Sequence, residues 1–159
     1  MTTAWIRNSV LSALERTAQH ALPNETGGLL VGYRADNGEV VIQELVGPGP
    51  KARHSPVRFL PDHAWQCERL DAIYRDSNGR FVYIGDWHTH PRGIPEMSNL
   101  DRRTLRKIAR HPGISSSPPV MLIGGNSTGI WSWKAHEYRS SSLFGIRVVT
   151  ELLNVRAFD

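Results

Sequence analysis

GDWHTHPRGIPEMSNLDRR, residues 85–103, decides how this chain is read. Its first third continues RFVYIGDWHTH (80–90), an apolar and aromatic run that reads as a strand, and Pro91 stops it. Residues i and i+2 of a strand share a face, so His88 and His90 project together from the strand's end. Residues 91–97 read as loop. Asn99 to Arg110 then reads as a helix with Leu105, Ile108 and Ala109 inward. Ser98 and Asp101 stand three apart at its start, on one helical face. Taken alone they read first as a capping pair, but one helix start can also hold a ligand rigidly, so both readings can stand together.

Two imidazoles and a carboxylate delivered to one place make a plausible metal set. Neutral imidazole is a common ligand for divalent transition metals, and zinc accepts both donor types. A catalytic zinc takes three protein ligands and keeps one position for water, whose pKa falls to about 7. His88, His90 and Asp101 supply the three, for one Zn2+ ion. Proton movement then needs a base. Glu25 is the candidate, because it directly precedes an apolar strand after a turn; a solvated loop glutamate is the competing reading.

Around this stretch, Ile6, Val10, Leu14 and Ala18 recur every four residues, so a helix is expected over about 5–21. GGLLVGYR (27–34) and EVVIQELV (39–46) read as strands joined through Asn37-Gly38, a strong hairpin signal. GPGPKARHSP (47–56) reads as loop. Leu60 to Asp76 reads as a second helix, with Ala64, Cys67, Leu70 and Tyr74 on one face. SSSPP (115–119) reads as another loop. VMLIG (120–124), GIWSWKAHEY (129–138) and LFGIRVVTELL (143–153) read as strands, the last with a possible helical end. Strands and helices are interspersed, but three strands close the order. That pattern favours a single α/β domain over 1–159, a mixed β-sheet flanked by helices, over a regular doubly wound fold.

Composition bounds the rest. The chain has 159 residues, 40% apolar and 21% charged, which excludes disorder and low complexity. A net charge of +4 is only mildly basic, so nucleic acid is not an expected partner. One cysteine, Cys67, precludes an internal disulfide and a cysteine zinc knuckle, and fits a reducing compartment. It also precludes a zinc nucleobase deaminase, which needs H-x-E and P-C-x-x-C. No signal-peptide core or spanning apolar run is visible, so a cytoplasmic protein without membrane contact is expected.

ETGGLLVGY (25–33), WHTHP (87–91) and SNLD (98–101) together resemble the JAB/MPN domain with an intact JAMM zinc-peptidase motif. That motif is a Glu, then His-x-His-Pro, then Ser-x-x-Asp, and all parts occur here in order. Seven residues separate His90 from Ser98. The resemblance reaches at least residue 124; the last thirty-five residues add little to it. It implies a layered architecture like that of cytidine deaminases. It implies that His88, His90 and Asp101 hold zinc, that Glu25 shuttles a proton, and that Ser98 stabilises the oxyanion. The implied activity is isopeptide or peptide cleavage after the C-terminal tail of a ubiquitin-like protein or its conjugate. The short span from WHTHP to SNLD is closer to bacterial stand-alone members. Those often accompany ubiquitin-activating-like and conjugating-like enzymes, including in CBASS antiphage operons. Many relatives of the fold only bind partners, so a non-catalytic scaffold is the alternative.

Other features have plain structural readings. His20, His54, His63, His111 and His136 are expected on the surface or hydrogen-bonded. Asp86, on the face of His88, is expected either to orient an imidazole or to be structural. Trp87 and one of Trp131 and Trp133 are expected in the core. Arg102, Arg103, Arg106, Lys107 and Arg110 read as a solvated helix face, and Cys67 as a buried thiol. Residues 91–97 are the expected wall of a groove for an extended tail.

Overall fold

The computed structural model describes all residues except 115, 116, 143, 145 and 146. Among the described residues, nine strands and three α-helices follow in the order β1 (Thr3–Arg7), α1 (Asn8–Ala21), β2 (Gly27–Arg34), β3 (Val40–Val46), β4 (Arg53–Ser55), β5 (Arg58–Leu60), α2 (His63–Asp76), β6 (Val82–His90), α3 (Asn99–Ala109), β7 (Val120–Gly125), β8 (Ser132–Ser141) and β9 (Val148–Phe158). The fold is mixed α/β as expected, but the sheet is not open. Seven strands close into a barrel in the order β1-β3-β2-β6-β7-β8-β9, and β4 and β5 form a separate hairpin.

Closure depends on the element the sequence hid. Thr3–Arg7 is a strand, not the first turn of a helix, and it pairs in parallel with both β3 and β9. Ala4 and Ile6 are fully buried while Trp5 between them is half-buried, the period of two that a strand imposes. Ile6 satisfies that alternation and also the four-residue stripe of Val10, Leu14 and Ala18, so one residue belongs to both patterns.

The main core joins α1 to the barrel interior through Ile6, Val10, Leu14, Leu30, Ile42, Trp87 and Leu122. A second cluster, Met97, Leu105, Met121 and Ile123, lies under α3. Successive β7 residues thus serve opposite faces, and all six are buried. A strand covered on both sides reads as an unbroken apolar run. Asp86 pairs with Met121 and His88 with Ile123 on β7. The histidines therefore stand on the face that α3 covers, and Trp87 goes to the other core.

Three local expectations change. The 47–56 loop contains β4, whose hairpin with β5 turns through Pro56-Val57, a dipeptide without a hairpin signature. Helix α2 starts at His63, capped by Asp62, whose side chain accepts from the Trp65 amide. Its inward side is set by buried Gln66, whose amide donates to Gly47 O at 3.0 Å. Leu70 faces that side partly, but Ala64, Cys67 and Tyr74 are exposed. A hydrogen bond thus decided the buried side, and Cys67 is not a core thiol. The final strand runs over 148–158 and stays a strand to its end; Leu143, Gly145 and Ile146 of the expected strand, and Ser115 and Ser116 of the expected loop, lie outside the described residues. No helix among the described residues is long and apolar enough to cross a membrane.

Candidate metal centre

Strand β6 delivers His88 and His90 to the surface under the start of α3. Their Nε2 atoms lie 3.1 Å apart. His88 Nε2 is 3.0 Å from Asp101 Oδ1, and His90 Nε2 is 3.4 Å from Asp101 Oδ2. His90 Nδ1 lies 3.0 Å from Ile94 O and donates to it. That bond leaves the lone pair of Nε2 facing the cluster, the arrangement a metal-ligating histidine needs.

Asp101 is held by the helix it begins. Ser98 N donates to Asp101 Oδ2 at 2.7 Å, and Asp101 N donates to Ser98 Oγ at 3.1 Å. This is a complete capping box, so the capping reading holds together with the ligand geometry. Burial alone would raise the Asp101 carboxyl. Hydrogen bonds to His88, His90 and Ser98 overcome it and hold the group well below the usual carboxylate range. The His90 imidazole is raised by its bond to Asp101, against the opposing effect of burial.

The donor set fits a divalent cation. Zinc–ligand distances near 2.0–2.1 Å place tetrahedral donors about 3.4 Å apart. The two histidine nitrogens are 3.1 Å apart, and each meets a different oxygen of Asp101, His88 at 3.0 Å from Oδ1 and His90 at 3.4 Å from Oδ2. The three ligand atoms are within 4.8 Å of one another. Two nitrogens and one carboxylate oxygen suit zinc and other borderline metals.

Glu25 reaches the same place from β2. Gly27 pairs with His88 across β2 and β6, Thr89 N donates to Thr26 O at 3.0 Å, and so Glu25 falls opposite His90. The half-buried Glu25 lines one cleft with Asp86, His88 and Asp101. Burial raises its carboxyl, while the charges of His88 and His90 oppose that rise. Its backbone is pinned on both sides, with its amide donating to Ser55 O and its carbonyl accepting from His54 Nδ1, both at 2.8 Å. The five residues singled out in the sequence thus gather at one end of β6.

The cleft has about 460 Å³ of space. Its walls are the β4–β5 hairpin, through Arg58, Phe59 and Leu60, and the outer side of α3, through Leu100, Thr104 and Lys107. Residues 91–97 do not line it. That loop packs on β7 and β8 instead, where buried His136 contributes Nε2 to Pro95 O at 3.0 Å. Asp86 lies in the cleft wall and accepts a 2.6 Å bond from Tyr83 OH. Burial raises both groups. Of these parts, the sequence signalled only Asp86, by its spacing of two from His88; the Pro56-Val57 turn lacks a hairpin signature, so the β4–β5 hairpin read as loop.

The comparisons with known proteins follow the same lines. A model of prokaryotic homologs of the JAB domain matches residues 7–136. A probable metalloprotease, y4qB, of Sinorhizobium fredii is 36% identical over 144 residues, 88% of each chain. A CD-NTase/cGAS isopeptidase of Enterobacter hormaechei is 30% identical over 135 residues, 84% of this chain and 73% of that one. In fold, a solution structure from Desulfitobacterium hafniense matches with a TM-score of 0.68 at 21% identity, over 99% of this chain and 94% of that one. With the match spanning β6, α3 and the residues between them, the chain belongs to the family of prokaryotic JAB-domain homologs.

Proposed function

We propose that this protein is a zinc-dependent peptidase of the isopeptidase kind, cleaving after the C-terminus of a ubiquitin-like protein or its conjugate. The observation that carries the proposal is the convergence of His88, His90 and Asp101, with Glu25 in the same cleft. The similar proteins named metalloprotease and isopeptidase support peptidase-type hydrolysis.

A zinc ion held by His88, His90 and Asp101 would polarise a carbonyl and make water nucleophilic near neutral pH. Glu25 has the placement of a general base. Its raised carboxyl accepts a proton from water and returns it to the departing amine. Ser98 Oγ accepts from the Asp101 amide, which leaves its own O–H to donate to the carbonyl oxygen of the substrate. Leu60 and Leu100, both exposed on facing walls, offer apolar contact to an extended chain between them. Bacterial ubiquitin-activating-like and conjugating-like enzymes are the expected companions, and antiphage defence the expected setting; the name CD-NTase/cGAS isopeptidase, borne by several relatives, supports both.

The test is a ubiquitin-like protein joined through its C-terminus to a lysine of a reporter. We expect about one zinc per chain, cleavage lost on chelation and restored by zinc, and neither metal nor cleavage in Asp101→Ala. A fully metallated chain that cleaves no conjugate would overturn the proposal in favour of a binding scaffold.

A further inference from the structure

Glu25 lies outside the barrel ladder. Helix α1 ends at Ala21 and β2 begins at Gly27. Thr26 is tied to β6 by the bond from the Thr89 amide, but among the described residues no barrel strand bonds the peptide groups of Glu25. A carboxylate that must meet one metal-bound water has its side-chain torsions to control, and a loose backbone beneath it would add more freedom. The placement of Glu25 therefore depends on what holds its own N–H and C=O.

The β4–β5 hairpin holds them. It is a sheet of its own, apart from the barrel. The Glu25 amide donates to Ser55 O at 2.8 Å, and His54 Nδ1 donates to Glu25 O at 2.8 Å. A hydrogen-bonded pair in an antiparallel ladder exchanges two bonds between backbone groups. Here backbone supplies one, and an imidazole takes the place of the second amide.

His54 is itself set in position. It stands opposite Phe59 across the hairpin, and the two rings are 5.4 Å apart between centroids and inclined by 34°. The Phe59 ring lines the metal cleft and lies against Gly27, where a Cβ would come within 2.8 Å of it. His54 does not line that cleft. Among the described residues its hydrogen bond goes to the Glu25 carbonyl, not to a metal ligand.

We propose that His54 is a positioning residue for the general base. Its bond to Glu25 O fixes the backbone from which the Glu25 carboxylate reaches the metal centre. This inference rests on the reading of Glu25 as that base. Without the bond the hairpin holds Glu25 by its amide alone, and the carboxylate spreads over positions of which few are productive. The loss falls on the proton-transfer step, so on kcat more than on KM.

Two variants divide the ring from the donor. His54→Phe keeps a ring against Phe59 and removes the N–H. His54→Asn removes the ring and keeps an N–H at nearly the place of Nδ1. Both are read in the zinc-loaded chain, by turnover of the ubiquitin-like reporter conjugate and by NMR hydrogen exchange of the Glu25 amide. In His54→Phe we expect kcat to fall about ten- to a hundredfold, with KM and zinc content near wild type and faster exchange of the Glu25 amide. In His54→Asn both kcat and amide protection should return most of the way to wild type. The reverse order would show that His54 acts by packing alone, and would overturn the proposal. Wild-type kcat and amide protection in His54→Phe would overturn it as well. A wild-type chain that cleaves no conjugate overturns it through the peptidase reading, whereas unchanged amide exchange in His54→Phe overturns it through His54, so the two failures are distinct.

Discussion

Gly27 and His88 face each other across β2 and β6 so closely that a Cβ on Gly27 would stand 3.1 Å from His88 Cβ and 2.5 Å from Trp87 O. The ring of Phe59 would be 2.8 Å away. Backbone on one side and an aromatic wall on the other leave little room to yield. The glycine therefore sets how near Glu25 comes to the histidine pair.

Gly27→Ala should separate the two strands at the metal centre. We expect a loss of about 1–3 kcal/mol, a drop of about 2–4 °C in Tm for each kcal/mol, and zinc content below one per chain. Thermal unfolding and elemental analysis check this. A variant with unchanged Tm and full zinc would show that the close approach is not needed.

Leu105 ties the metal centre to the second core. It is fully buried under α3, one turn after Asp101, against Met97, Met121 and Ile123. Leu105→Ala should cost about 2–5 kcal/mol. Because α3 carries Asp101, zinc affinity should fall as well, although Leu105 touches no ligand. Denaturant unfolding and a competitive zinc titration measure the two effects, and a stability loss without any change in zinc affinity would refute the coupling.

Glu25→Gln keeps the volume and the backbone anchors of Glu25 while removing its proton chemistry. Zinc should remain at the wild-type level, and kcat on the ubiquitin-like conjugate should fall by about a hundredfold or more. Retained turnover with retained zinc would transfer the role of base to another group.

His136 governs a pH effect away from the metal. Burial holds its imidazole below the ordinary histidine value, against the hydrogen bond to Pro95 and the charge of Glu96; Lys134 and Arg102 add to the lowering. The unfolded chain then takes up its proton first as pH falls through about 6.5. The contribution is complete above that pH and is lost below it, with a slope of at most about 1.4 kcal/mol per pH unit. His136→Gln, which retains a donor for Pro95, should flatten the wild-type decline between about pH 6.5 and 5. Parallel stability curves for the two proteins across that range would contradict this assignment.

The hydrogen bonds of the metal centre were readable because they are local. His88 and His90 share a face by the period of a strand, and Ser98 and Asp101 by the turn of a helix. Capping geometry and ligand geometry coincide at Asp101, so neither reading had to displace the other. The side of α2 that faces inward was not readable. Its apolar residues are scattered round the helix, and one amide bond, from Gln66 to Gly47, turned Cys67 outward.

Periodicity and residue chemistry alone determined the α/β class, the strand that carries the histidines and the helix that carries Asp101, while Glu25 was grouped with them only through the resemblance of the whole motif. Tertiary structure alone decided that the sheet closes, because closure rests on a five-residue strand whose partners lie 36 and 151 positions away in sequence, from Ala4 to Val40 and to Val155. It also decided which walls form the cleft. Long-range pairing and burial depend on what the rest of the chain brings alongside, and no local pattern encodes that.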